Sequence, residues 1–140
     1  MSNIPQLRHE HFRLIATVRR LGGLIERKTP PPHLHLRALR HELSATLVAH
    51  LKAEDSVLYP PLFDSPDMHI AATARAFSAE MGGFSDAYHA HCDKWSADAI
   101  ASDWAAYCLE CRQILDALTI RITRENRELY PLVETLARAA

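Results

Sequence analysis

Apolar residues recur at spacings of three and four along most of the chain, and four segments carry the repeat. Ile4, Leu7, His11, Leu14, Val18, Leu21 and Ile25 mark one face of a first helix, expected over about residues 4–27. Thr29-Pro30-Pro31-Pro32 stops it. Leu36, Leu39, Leu43, Leu47, His50, Glu54 and Val57 mark a second helix over about 33–59, which Pro60-Pro61 bends or ends. Ile70, Ala74, Phe77, Met81, Phe84, Tyr88, His91 and Trp95 mark a third over about 67–95, with Gly82-Gly83 at its middle. Residues 96–102 read as a connection, with Ser102 as N-cap of the fourth helix. That helix is expected over about 103–137, kinked at Pro131. Its inner face is Trp104, Cys108, Cys111, Leu115, Leu118, Ile122, Glu125, Leu129, Leu132 and Leu136. No strand pattern competes. The pattern predicts an all-α chain folded as one domain over residues 1–140, an antiparallel up-down-up-down four-helix bundle.

Polar residues interrupt these stripes. His50 and Glu54 lie one turn apart on the second helix, on its apolar face. An imidazole and a carboxylate in a core stripe are costly unless something satisfies them. The stretch is also repeated 71 residues later: Glu54, Leu58, Tyr59 and Pro60 match Glu125, Leu129, Tyr130 and Pro131, while Arg121 stands at the position of His50. Tyr59 and Tyr130 are expected to cap one end of the bundle or, with a metal present, to be the phenols nearest to it.

Composition narrows the function classes. Sixteen basic and 17 acidic residues are interspersed, with a net charge of -1. No basic block points to nucleic acid or a membrane surface, and no run approaches a membrane span. The first dozen residues lack the apolar core of a signal segment. Three cysteines, two of them on one helix, argue against a disulfide framework, and a reduced, cytoplasmic protein is expected. Cys108-x-x-Cys111 is read as apolar packing on the inner face. With His91 and Cys92 at a similar height a second metal cluster is conceivable, but no paired motif completes its ligand set. No Ser/His/Asp set, phosphate loop or pair of catalytic acids is visible, so no catalytic role is assigned.

The connections allow heights to be compared. Turns near residues 31, 66 and 99 put His11, His50 with Glu54, Met81, and Arg121 with Glu125 in one layer. Polar groups converging at one height are how a bundle core builds a metal site. Two histidines and two carboxylates suit a first-row metal such as iron or manganese.

With Glu10-His11, with His50 and Glu54 before Leu58-Tyr59-Pro60, and with Glu125 before Leu129-Tyr130-Pro131, the chain resembles the hemerythrin-like family, the HHE cation-binding domain, over about residues 7–133. The resemblance implies a four-helix bundle whose carboxylates, here Glu54 and Glu125, bridge two non-haem irons capped by histidines. It implies binding of dioxygen or nitric oxide, or sensing of oxygen, redox state or iron. Carried over, His11, His50, Glu54 and Glu125 are the retained metal positions. The chain departs from the pattern where Met81, after Glu80, and Arg121 stand in place of histidines, and where Phe77 falls one turn before Met81. An arginine keeps its charge, repels a cation and attracts carboxylates. The expectation is therefore an eroded di-iron site, with iron mononuclear or absent, in a regulatory, sensory or protein-binding module whose partner is another protein or a second copy. The alternative is an iron protein that binds or senses dioxygen, nitric oxide or peroxide.

Overall fold

Prolines and glycines decide how the helices are divided. The computed structural model describes residues 3–139, so the expected domain bounds at residues 1 and 140 lie outside it. All its regular elements are helical: α1 Ile4–Leu24, α2 His33–Ala53, α3 Tyr59–Phe63, α4 Met68–Met81, α5 Phe84–Lys94, α6 Ala97–Ser102, α7 Trp104–Arg124 and α8 Tyr130–Ala139. π-helical turns over Glu54–Leu58 and Glu125–Leu129 join α2 to α3 and α7 to α8.

These two turns answer the prolines. Pro60 has no N–H for the Ser56 carbonyl and in α geometry would collide with it. The Tyr59 N–H closes on the Glu54 carbonyl instead, five residues back, and Tyr130 does the same to Glu125. The rod continues where a bend or end was expected. The wider turn also advances the inward position by one residue. Leu58 is buried at 2% exposure, whereas Val57, expected inside, is 45% exposed.

The third expected helix is two. Gly82 and Gly83 separate α4 from α5, and a Cβ on Gly82 would overlap the Ser78 carbonyl oxygen. Residues 96–102 are not a plain connection but hold α6, capped by the Ser96 hydroxyl. Ser102 ends that helix, its hydroxyl bonded to the Asp98 carbonyl. The N-cap of α7 is Asp103, whose carboxylate accepts from the Ala106 N–H.

α1 packs on α2 and α7, α5 on α7, and α3 on α4. One apolar cluster gathers Leu14, Val18, Leu39, Leu43, Tyr107 and Leu115; the other gathers Leu7, Leu58, Leu62, Ile70, Phe77 and Leu129. His11, His50, Glu54, Arg121 and Glu125 are buried where the first cluster gives way to the second. Leu136, expected inside, is 40% exposed, and Tyr107, absent from the expected stripe, is fully buried. Among the described residues no helix is long and apolar enough to cross a membrane.

A candidate metal centre

The repeated motif builds the centre by exchange between its two copies. Tyr59, from the first copy, donates to Glu125 Oε2 of the second at 2.6 Å, and Tyr130 donates to Glu54 Oε2 at 2.6 Å. The tyrosines therefore do not cap an end; they are buried hydroxyl donors to the central carboxylates. In each copy the residue four before the glutamate also meets it. His50 Nε2 lies 3.2 Å from Glu54 Oε1, and Arg121 Nε lies 3.3 Å from Glu125 Oε2.

α1 supplies the remaining imidazole. His11 Nε2 sits 3.2 Å from Glu125 Oε1, and the His11 and His50 ring centroids are 4.6 Å apart. His11, His50, Glu54 and Glu125 are all buried, each offering a ligand atom within 4.8 Å of the others. Both imidazoles are turned inward by a partner on their outer nitrogen. His11 Nδ1 donates to Asn126 Oδ1 at 2.8 Å, and His50 Nδ1 donates to Glu10 Oε1 at 2.7 Å. An imidazole so tied points its Nε2 to the interior, the arrangement that orients a metal-binding histidine.

Arg121 occupies the other side. It is 2% exposed and points inward, beside the equally buried Ile122. Its Nη2 reaches Glu54 Oε1 at 3.3 Å and Asp55 Oδ1 at 2.9 Å, and Nη1 donates to the Met81 carbonyl at 3.3 Å. That carbonyl is free because the Gly82-Gly83 break ends α4 at Met81, and a helix C-terminus favours a cation. The Met81 side chain does not join the cluster. It lines a cavity of about 170 Å³ that also touches Asp55, Tyr59, Gly82 and Arg121. Glu80 instead pairs on the surface with Arg124.

The protonation pattern follows from burial and from these contacts. Burial opposes ionisation of Glu54, yet the adjacent His50, together with Arg121, holds its carboxyl at about 2. Burial and the Glu54 charge push Glu125 far up, so the pair holds one negative charge and one proton. Burial lowers His11 to about 4. Burial works against His50 as well, but Glu54 and Glu10 raise it. Arg121 stays charged, its burial outweighed by Glu125, Glu54 and Asp55. Burial and the neighbouring carboxylates push both tyrosines up, so they remain neutral donors.

The donor set fits a cation. Glu125 Oε1 is buried inside this cluster without a hydrogen-bond partner, and His50 Nε2, 3.2 Å from Glu54 Oε1, makes no well-aligned hydrogen bond. Once the Glu54–Glu125 pair gives up its proton and His50 is neutral, the His50 nitrogen and the Glu125 oxygen are both acceptors, and a cation between them would satisfy both. His91, Cys92, Cys108 and Cys111 form no second group of ligands among the described residues, and the three thiols are free.

Sequence reasoning missed Asn126, Asp55 and the pairing of Glu10 with His50. Glu10 and Asp55 adjoin His11 and Glu54 in the chain, which is the one signal that could have pointed to them.

A family model for the hemerythrin HHE cation-binding domain matches residues 2–133. No curated protein and no solved structure matches the chain.

Proposed function

The chain belongs to the hemerythrin HHE cation-binding domain family, and on that premise we propose that it holds one first-row metal ion at His11, His50, Glu54 and Glu125, with Arg121 as a built-in second cation. The carrying observation is the convergence of four buried ligand atoms within 4.8 Å of one another, with His50 Nε2 and Glu125 Oε1 lacking a well-aligned hydrogen bond. Iron or manganese suits this mixture of imidazole and carboxylate. Bound iron would supply a redox-active centre able to take a small ligand such as dioxygen, nitric oxide or peroxide.

The chain's own residues set the limits of that chemistry. Arg121 neutralises the carboxylate face that a second ion would need, so a dinuclear centre is disfavoured by charge. Tyr59 and Tyr130 hold both glutamates in place through their outer oxygens. Glu10 and Asn126 fix the imidazole tautomers. The buried cluster suits a small ligand rather than a large substrate, and the role we assign is sensory or regulatory. We read the helices as one domain, an up-down-up-down bundle with antiparallel neighbours; the contacts of α1 with α2 and of α5 with α7 support that reading.

A second reading has its own observation: Arg121 already bonds both glutamates. In that reading the cluster is a metal-free ionic network that positions the helices for a protein partner. Anaerobic titration with Fe(II) and Mn(II), followed by desalting and elemental analysis, separates the two. One equivalent retained by the wild type and lost in His50→Ala supports the metal site. No retention under either metal supports the network.

A further inference from the structure

Arg40 lies ten residues before His50 on α2, about 15 Å along the helix axis, beside a cavity that the metal reading leaves unexplained. The cavity, of about 240 Å³, opens between α2, α5 and α7. Tyr107 lines it, is fully buried, and has a hydroxyl that faces the Cys111 thiol, a weak partner, and meets no nitrogen or oxygen partner. Its ring is clamped by Trp95 at 5.5 Å, Trp104 at 5.7 Å and His91 at 5.9 Å, with the Arg40 guanidinium over it at 5.6 Å. A buried hydroxyl with only a thiol beside it is under-satisfied, which is costly unless a ligand completes it.

Arg40 is the second unfinished group. It is half-buried and spends one donor on the Trp95 carbonyl at 2.7 Å, yet it makes no ion pair with a carboxylate among the described residues. Arg37, also on the cavity wall, makes none either. A guanidinium has five donors in a fork suited to a carboxylate. Of the two thiols at the wall, Cys92 and Cys111, the latter is pushed up to about 11 by burial, so it carries no negative charge that would compete. The apolar part of the lining is formed by Leu43, Ile114 and Leu115.

We propose that this cavity binds a small organic acid, its carboxylate held by Arg40 and the Tyr107 hydroxyl and its apolar body resting on Leu43 and Leu115. An inorganic anion would complete the cationic wall but leave the apolar one uncovered, so an acid with a hydrocarbon body fits better. The site stands apart from the His/Glu cluster and does not depend on the metal reading.

The chain's two tryptophans both flank Tyr107, so their fluorescence reports occupancy. Benzoate serves as probe, with acetate and inorganic phosphate as comparisons. Benzoate should give a saturable change, with acetate at least about tenfold weaker because it lacks the apolar body. Arg40→Gln should weaken benzoate about ten- to a hundredfold and Tyr107→Phe about three- to tenfold, while thermal unfolding shows both folded. The same benzoate affinity with and without bound metal would keep this site distinct from the His/Glu cluster. Absence of a saturable response to benzoate, phosphate binding as tightly as benzoate, or an affinity unchanged in both folded variants would overturn the proposal. Should a variant unfold, amide shifts in the wild-type protein decide. Benzoate shifts centred on Ser44 and Cys111, both on the wall, support it; shifts confined elsewhere reject it.

Discussion

Replacing Arg121 by methionine should remove the charge balance of the buried centre while keeping much of its volume. In the wild type the guanidinium lies 3.3 Å from Glu54 Oε1, 3.3 Å from Glu125 Oε2 and 2.9 Å from Asp55 Oδ1. Two fully buried carboxyls then lose the permanent cation that bonds both, and breaking one member of such a group costs about 3–5 kcal/mol. For a chain of this size that corresponds to a fall in Tm of roughly 10–15 °C in metal-free protein. Acid should narrow the deficit. The wild-type Glu54 carboxyl is held at about 2, below its unfolded value, so its contribution is present above about 4.5 and lost as pH falls toward 2. Without Arg121 the folded carboxyl moves up, the native state takes its proton more readily, and the gap to wild type shrinks between pH 8 and pH 5. Added Mn(II) should recover more stability in the variant than in the wild type, since a cation can take over the neutralising role. Guanidinium chloride unfolding followed by far-UV circular dichroism, in chelator-treated protein at both pH values, measures all three effects. A deficit below about 1 kcal/mol, or one unchanged by pH and metal, would refute the reasoning, because an electrostatic role must respond to both.

Tyr130→Phe should cost about 1.5–3 kcal/mol by denaturant unfolding, because it leaves Glu54 Oε2 buried without its 2.6 Å donor. Combining Met81→His with Arg121→His should raise bound iron from one equivalent toward two and produce a charge-transfer band, read by elemental analysis and absorbance. In metal-free protein His11, lowered to about 4, stays neutral on folding while the unfolded imidazole protonates near 6.5. Stability from this group is therefore present above 6.5 and lost as pH falls toward 4; between pH 7.5 and 5 the loss is about 1–2 kcal/mol. The raised His50 works in the opposite sense, so the His11 part is the difference in pH slope between wild type and His11→Gln.

Helix faces were largely legible from spacing alone. All seven positions read as the inner stripe of α1, from Ile4 to Ile25, are buried. The period of a helix is a local property, and removing one apolar face from water is the main force that folds it, so pattern and outcome agree wherever the backbone stays α-helical. They diverge where it does not. Val57 and Leu58 exchange places because Pro60 forces a π turn, and the register of a stripe cannot be continued across such a turn from spacing.

The same limit divides the centre. Sequence repetition singled out Glu54 with Tyr59 and Glu125 with Tyr130, and turn positions put His11 and Arg121 near their height. The repeat did not reveal that each tyrosine serves the other copy's glutamate, since that pairing exists only when two distant helices face each other. Nor did it decide whether Arg121 or Ile122 points inward. Both are buried, and Arg121 is held by the carbonyl freed where Gly82-Gly83 breaks a different helix. Residue types and their spacing set the chemistry available to this chain. Packing alone determined which acceptors were left without a donor, because the satisfaction of a buried polar group depends on neighbours remote in sequence.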